Sequence, residues 1–229
     1  MTIYAWPATW LPSRFEMRIL PNTRTFVGPY TPTTQIIDLL GERWTMSFDL
    51  PQDSDPILGA AREAFFDRLK GPANQIALSN LIRPQPQGTL RDTAGGNAQW
   101  KTGAGANATW QTSVPSAATW TYAGATTAYV MPQLSNMLPI ATTPGATLLA
   151  GDHIGCAGQL FRAMANATAD GTGLLLVEVQ PRARNAIATG TGVTCTAPTA
   201  NFMLKAEGVP TVWRVGRYDG ATLDLIEVF

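Results

Sequence analysis

The 229-residue sequence has little charge, two cysteines and a single histidine. Charged residues make up 14% of the chain, and 16 basic residues balance 16 acidic ones. This balance argues against the strongly basic surface with which proteins bind nucleic acid or anionic membranes. No stretch reaches the roughly 18 apolar residues of a membrane helix. The first residues also lack the basic start and apolar run of a signal peptide. We therefore expect neither a membrane-spanning helix nor a signal peptide.

Side chains suited to catalysis are scarce. His153 is the single histidine, no nucleophile-elbow pattern accompanies it, and we expect an ordinary half-buried residue of a short strand. One histidine and the two distant cysteines, Cys156 and Cys195, are too few for a structural zinc site. No phosphate-binding or dinucleotide-binding glycine motif is present. We therefore expect no enzyme, no cofactor and no metal, and both cysteines reduced and buried.

Three carboxylates and two arginines leave alternatives open. Three aspartates are close together in sequence: Asp49, Asp53 and Asp55. A glycosidase needs two carboxylates a set distance apart in space, so these residues are candidates for such a pair. They flank a strand end and a helix start, where acidic residues cap the helix, so a structural role is favoured. Arg182 and Arg184 either contact a neighbouring chain or lie in a solvated loop.

The 21 glycines and 17 prolines indicate a chain with many turns, as in all-β proteins. In the first part of the chain, apolar and polar residues alternate or apolar runs end at turn residues, which predicts strands at Phe15–Ile19, Thr33–Leu40, Glu42–Leu50 and Gln75–Arg83. One helix is predicted at Asp55–Lys70, with Asp55 as its cap and Pro56 in its first position. Its apolar stripe is predicted from Ile57, Leu58, Ala61, Phe65, Phe66 and Leu69.

The C-terminal part is predicted to be small and all-β. Turn residues separate short strands at Thr147–Ile154, Gln159–Ala163, Gly173–Gln180, Val193–Thr196 and Ala200–Ala206. A closing hairpin is predicted from Val212–Tyr218 and Leu223–Val228, with its turn at Asp219-Gly220.

The predicted fold is thus mainly β, a sandwich or barrel with one packed helix, followed by a small all-β domain. The N-terminal domain covers residues 1–87, and an Ala/Gly/Thr/Trp-rich inserted or linking segment of short strands covers 88–146. The C-terminal domain covers 147–229. Whether some of its strands pair with strands of the N-terminal domain is left open by the sequence.

The inserted segment contains Trp100, Trp110 and Trp120, ten residues apart each time. The favoured interpretation is that each ring packs one short strand against a core, because an exposed tryptophan leaves a large apolar patch. Stacking on sugar rings and packing against another chain are the alternatives. These three residues are therefore the candidates for carbohydrate or inter-subunit contact.

Leu148–Lys205 resembles a recurrent segment of tail-tip proteins of long-tailed bacteriophages. The pattern is carried by Gly151-Asp152, Gly158-Gln159-Leu160, Ala169-Asp170-Gly171-Thr172-Gly173, Pro181 with Arg184, and Pro198-Thr199 with Phe202 and Leu204. The N-terminal part, with Trp44–Leu50 and the helix, is similar as well. Within these proteins, the distal tail protein is the favoured member.

This resemblance implies a structural virion protein in the phage tail tip, made in the host cytoplasm during assembly. It implies a tail-tube-like N-terminal domain and a ring, expected to be hexameric, that joins the tail tube to the baseplate hub. DNA would only pass through the lumen of that ring. The sequence departs from the pattern between about residues 88 and 145, so a minor tail or baseplate protein that binds host-surface glycans is the alternative.

Overall fold

The computed structural model describes residues 1–27, 34–92, 100–101, 107–108 and 124–228, with backbone alone at 100–101 and 107–108. The protein is mainly β, as predicted, and its described residues contain one α-helix. In chain order the elements are β1 (Ile3–Ala5), β2 (Arg14–Leu20), β3 (Thr23–Val27), β4 (Thr34–Asp38), β5 (Arg43–Asp49), α1 (Pro56–Leu69), a 3-10 turn (Gly71–Ala73), β6 (Gln75–Leu78), β7 (Trp100–Lys101), β8 (Asn107–Ala108), β9 (Thr126–Thr127), β10 (Met137–Ala141), β11 (Thr147–Leu148), β12 (His153–Cys156), β13 (Gln159–Ala163), β14 (Ala167–Thr168), β15 (Leu174–Gln180), β16 (Val193–Thr194), β17 (Ala200–Leu204), β18 (Trp213–Arg214), β19 (Arg217–Tyr218) and β20 (Thr222–Glu227).

The first sheet takes its strands from both ends of the chain. Its order is β1-β6-β17-β20-β5-β2, with β1 parallel to β6 and the other pairs antiparallel. The alternation predicted for residues 42–50 is confirmed, because Trp44, Met46, Phe48 and Leu50 are all buried. They form one core with Phe202, Leu223 and other residues of the C-terminal strands. Residues 200–227 thus complete the N-terminal sheet.

Helix α1 covers this core and begins as predicted. The Asp55 carboxylate accepts a hydrogen bond from the backbone N–H of Ile57, and Pro56 occupies the first turn. The predicted stripe is wrong at Ile57 and Ala61, which are exposed. Gly59, Arg62, Phe66 and Leu69 form the buried face instead. Arg62 is buried because its guanidinium lies between the rings of Trp10 and Tyr218, at 6.0 and 5.7 Å, and donates to the Pro51 carbonyl.

A second sheet forms a near-closed barrel, which we call the barrel. Its antiparallel strands have the order β16-β12-β13-β15-β10-β9, and a bridge between Thr126 and Gly192 brings its two ends together. Alternate residues such as Ile154, Phe161 and Val177 fill its interior. The barrel takes strands from both sides of the boundary predicted between residues 146 and 147.

The predicted closing hairpin is wrong. β18 pairs with β19 around Gly216, whose φ is +79°, and β20 pairs instead with β17 and β5. Gly220 serves a different purpose from a hairpin turn, because a Cβ on it would lie 2.1 Å from the Leu50 carbonyl oxygen. The glycine permits a close approach of two backbones.

Other predicted strands are present with altered bounds. The strand predicted at 147–154 is two strands, β11 and β12, and the one predicted at 75–83 ends at Leu78. Beyond it, residues 79–92 run along the barrel. The Asp152 carboxylate accepts hydrogen bonds from the N–H groups of Gln87 and Gly88, at 2.8 and 3.1 Å. A Cβ on Gly88 would lie 2.1 Å from the Thr147 carbonyl oxygen, so the segment lies directly against the barrel.

The described residues on either side of 93–123 lie at one place on the barrel. The Asp92 carboxylate accepts hydrogen bonds from the backbone N–H groups of Cys195 and Thr196. The Ala125 carbonyl accepts one from the N–H of Val193, at 2.9 Å. The residues that flank this part of the chain therefore lie beside the same short segment, 193–196.

Candidate interaction surfaces

The hairpin of β3 and β4 has no core of its own. All ten of its residues are exposed, including Phe26 at 51%, Val27 at 68%, Ile36 at 70% and Ile37 at 46%. The pairing of Thr25 with Ile36 places Val27 and Ile36 on one face and Phe26 and Ile37 on the other. A two-stranded hairpin is marginally stable in water, so both apolar faces call for a partner.

The apolar surface continues from the hairpin onto the barrel. Leu39 and Leu40 follow β4 and line a groove of about 570 Å³, whose other side includes Leu134, Ile187 and Val228. Leu39 and Leu134 are 48% and 43% exposed. The hairpin and this groove together form one apolar surface, which we call the hairpin surface.

Trp44 joins the first sheet to the barrel. It is fully buried, and its indole N–H donates to the Leu160 carbonyl at 2.8 Å. The Arg162 guanidinium carbon lies 4.8 Å from the centroid of the indole ring, and the His153 ring lies 5.6 Å from it. Side chains of β12 and β13 point alternately into and out of the barrel. Ile154 points inward, and the outward-facing residues include His153, Leu160 and Arg162. The outer face of the barrel thus packs against the first sheet, and we call the sheet and the barrel the two bodies of the chain.

An ion pair lies at the same junction. Glu227, at the end of β20, is fully buried and pairs with Arg184 of the barrel. Its carboxylate also accepts the backbone N–H of Trp44 at 3.0 Å. Burial raises the pKa of Glu227, against the opposing effect of Arg184. Arg182 contacts the first sheet as well, since its N–H donates to the Glu42 carboxylate at 3.0 Å. The two predicted arginines therefore face the other body of the same chain.

His153 is buried rather than half-buried, which corrects the prediction. It is 4% exposed, and burial together with the positive charges of Arg162 and Arg83 lowers its pKa to about 4. It is therefore neutral at pH 7. Burial alone raises the pKa of Cys156 to about 11, so the neighbouring histidine does not activate this thiol.

Both cysteines are free and buried, as predicted. Burial, with a contribution from Asp92, raises the pKa of Cys195 to about 12. A thiol with so high a pKa is a poor nucleophile and a poor metal ligand at neutral pH. Within the described residues, no group of three or more His, Cys, Asp and Glu side chains is placed to hold a metal ion.

The three carboxylates near the helix have structural partners. Asp55 caps α1, Asp53 accepts the Asp55 N–H at 2.9 Å and lies 3.6 Å from Arg62, and Asp49 accepts the Thr222 hydroxyl at 2.6 Å. These contacts agree with the structural interpretation of all three acids.

The evenly spaced tryptophans fall mostly outside the described residues. Trp100 lies in β7, where it is the partner of Ala108 in β8. Trp110 and Trp120 lie outside the described residues, so packing and sugar stacking both stay predictions. The sequence gives no signal for Arg83, Arg162 and Glu227, because no local pattern marks a contact between distant strands.

No described helix is long and apolar enough to span a membrane. No protein-family model matches the chain, and no curated protein matches it either.

Proposed function

We propose that the protein is a non-catalytic structural component of a phage tail tip, a distal tail protein that assembles into a ring. The ring would join the tail tube to the baseplate hub, and DNA would only pass through its lumen. In this proposal the protein acts in the virion after assembly in the host cytoplasm. The hexameric stoichiometry and the choice of this member rest on the sequence resemblance.

The hairpin surface is the observation that carries the proposal. Phe26, Val27, Ile36 and Ile37 expose both faces of a two-stranded sheet to solvent in the isolated chain. A second copy would cover these faces and satisfy the unpaired backbone groups at the edges of the hairpin. When the surface of one copy contacts a different surface of the next, the contacts form a closed ring if the rotation closes.

Rigidity at the junction of the two bodies also favours an adaptor. Three contacts connect the first sheet to the barrel: the buried Trp44 ring, its indole hydrogen bond to the Leu160 carbonyl, and the buried ion pair of Glu227 with Arg184. A fixed angle between the two bodies sets the geometry with which a ring presents different surfaces to the tube and to the hub.

The test is the assembly state of hairpin variants. Val27→Asp with Ile36→Asp places two charges on one face of the hairpin, and Ile57→Asp is the matched control. Ile57 is an exposed isoleucine of α1 at 78%, away from the hairpin. We expect rings for the wild type and the control, and monomers with unchanged circular dichroism for the double variant. Light scattering after gel filtration and negative-stain images give the readout.

A wild-type protein that stays monomeric at tens of micromolar would contradict the proposal. If the double variant formed rings as well as the wild type does, the hairpin surface would not be the interface between copies.

A further inference from the structure

A basic cluster lies where the barrel meets the first sheet. His153 and Arg162 are opposite partners on β12 and β13, so their side chains share the outer face of the barrel. Arg83 follows β6, its guanidinium nitrogens lie 3.8 Å from the position that a Cβ on Gly151 would take, and its charge lowers the pKa of both His153 and Arg162. Two arginines and a neutral imidazole, all able to donate hydrogen bonds, therefore lie close together.

The cluster contains polar atoms without partners. Nε of Arg162 and Nε2 of His153 are buried and have no hydrogen-bond partner within the described residues. Neither Arg83 nor Arg162 forms an ion pair with a carboxylate in that part of the chain. A buried polar group without a partner destabilises the folded protein, so such atoms call for an explanation such as a bound ion.

Asp152, which precedes His153 in the chain, is engaged elsewhere. Asp152 is 3% exposed, and its oxygens accept backbone N–H groups from Gln87, Gly88 and Leu149. Its charge acts on His153 and raises the pKa there. Burial and the charge of Arg83 both lower the pKa of Arg162. A negatively charged group at this place would offset the repulsion between the two arginines.

Arg162 is held in an orientation that suits an oxyanion. Its guanidinium lies over the Trp44 ring at 4.8 Å, and Trp44 is itself fixed by its hydrogen bond to Leu160. A guanidinium over an aromatic ring keeps its N–H groups available for paired hydrogen bonds to phosphate or carboxylate oxygens.

We propose that Arg83, Arg162 and His153 form a binding site for a phosphate group at the junction of the two bodies. The two guanidinium groups bind the phosphate oxygens, and the neutral imidazole, in the tautomer protonated at Nε2, donates a further hydrogen bond. A bound phosphate offsets the repulsion between the arginines. The phosphate is either inorganic or part of a phosphate ester, because both present the same oxygens. This proposal does not rest on the proposed ring.

The single histidine makes the site directly observable. The C2 proton of His153 gives one imidazole resonance in the NMR spectrum, and the titration adds inorganic phosphate at pH 7 and constant ionic strength, balanced with chloride. We expect a saturable shift with a midpoint in the millimolar range, and an increase of the His153 pKa above about 4 when phosphate is bound.

Three variants test the residues. Arg83→Ala removes an exposed side chain and is expected to weaken phosphate binding at least tenfold while the protein stays folded. Arg162→Lys keeps the charge, removes the planar fork, and is expected to weaken binding as well. Arg68→Ala, an exposed arginine in the last turn of α1, is the control and is expected to leave the titration unchanged.

Parallel titrations identify the source of the phosphate group. Glycerol 1-phosphate and dimethyl phosphate represent a monoester and a diester, and tighter binding of one of them than of inorganic phosphate assigns the site to that ester. Tighter binding of acetate than of any phosphate compound would overturn the proposal. A linear response that is equal in the wild type and Arg83→Ala would also overturn it.

Discussion

His153 is buried as a neutral base beside two arginines, so the stability of the junction depends on pH. In the folded protein its pKa is lowered to about 4 from the ordinary 6.5, by burial first and then by Arg162 and Arg83. Between these pH values the unfolded chain binds a proton that the folded chain does not bind. The stability that is present above pH 6.5 is therefore lost as the pH falls toward 4.

The His153→Gln variant tests this dependence. We expect the free energy of unfolding of the wild type to fall by about 3 kcal/mol more than that of the variant between pH 7 and pH 4. The measurement is urea unfolding across that range, in buffers free of phosphate and carboxylates. Equal slopes for the two proteins would show that the imidazole titrates normally in the folded state.

At this scale, the sequence predicts which side chains are buried better than what they contact. The alternation around Trp44 correctly placed its ring in the interior. Its hydrogen-bond acceptor, Leu160, lies 116 residues away, and no local pattern encodes that distance. The same holds for the pairing of Glu227 with Arg184, because the contact depends on how two separate sheets meet.

Among the elements, the C-terminal strands show why turn residues mislead. Asp219-Gly220 is a common hairpin turn in sequence. Gly220, however, is required for the approach of its backbone to Leu50, where an added Cβ would lie 2.1 Å from the carbonyl oxygen. β20 begins two residues later and pairs with β5 and β17 in the middle of the first sheet.

Gly220→Ala is therefore expected to destabilise the protein by at least about 2 kcal/mol, since backbone atoms cannot yield as a flexible side chain does. Gly208→Ala is the matched control, because no atom lies within 4 Å of its added Cβ and its φ lies outside the left-handed region. The free energy of unfolding from denaturant titrations separates the two variants. Similar values for both would contradict the close approach.

The helix shows a second limit of local patterns. Its start was predicted correctly, since Asp55 and Pro56 act within one turn. Its buried face was predicted with Ile57 and without Arg62, because hydrophobicity alone ranks the isoleucine as the buried residue. The rings of Trp10 and Tyr218 accommodate the arginine, and they come from distant parts of the chain.

At the scale of the whole molecule, the described residues that flank residues 93–123 lie close together. Asp92 and Ala125 bind the same segment, 193–196, through hydrogen bonds to its backbone. A short linker can span such neighbouring positions, because the cost of closing a loop changes slowly with its length.

Replacement of residues 93–123 by a short Gly/Ser linker is expected to leave the barrel folded, and a loss of more than about 1 kcal/mol in the free energy of unfolding would measure contacts that the replaced residues make. The shortened protein also separates the two roles considered for Trp100, Trp110 and Trp120. If they contact sugars, the full chain binds to a glycan array, the shortened protein does not, and the shortened protein still forms rings. Loss of folding would show instead that these tryptophans belong to the core.

The first sheet combines β1 and β2 with β17 and β20, strands from opposite ends of the described chain. On the ribosome, the early strands must therefore wait until residues 200–227 have emerged, whereas the barrel is already complete at residue 194. The order of translation thus favours barrel formation before sheet closure. A nascent polypeptide cannot present its finished sheet to a neighbour until synthesis has passed β20.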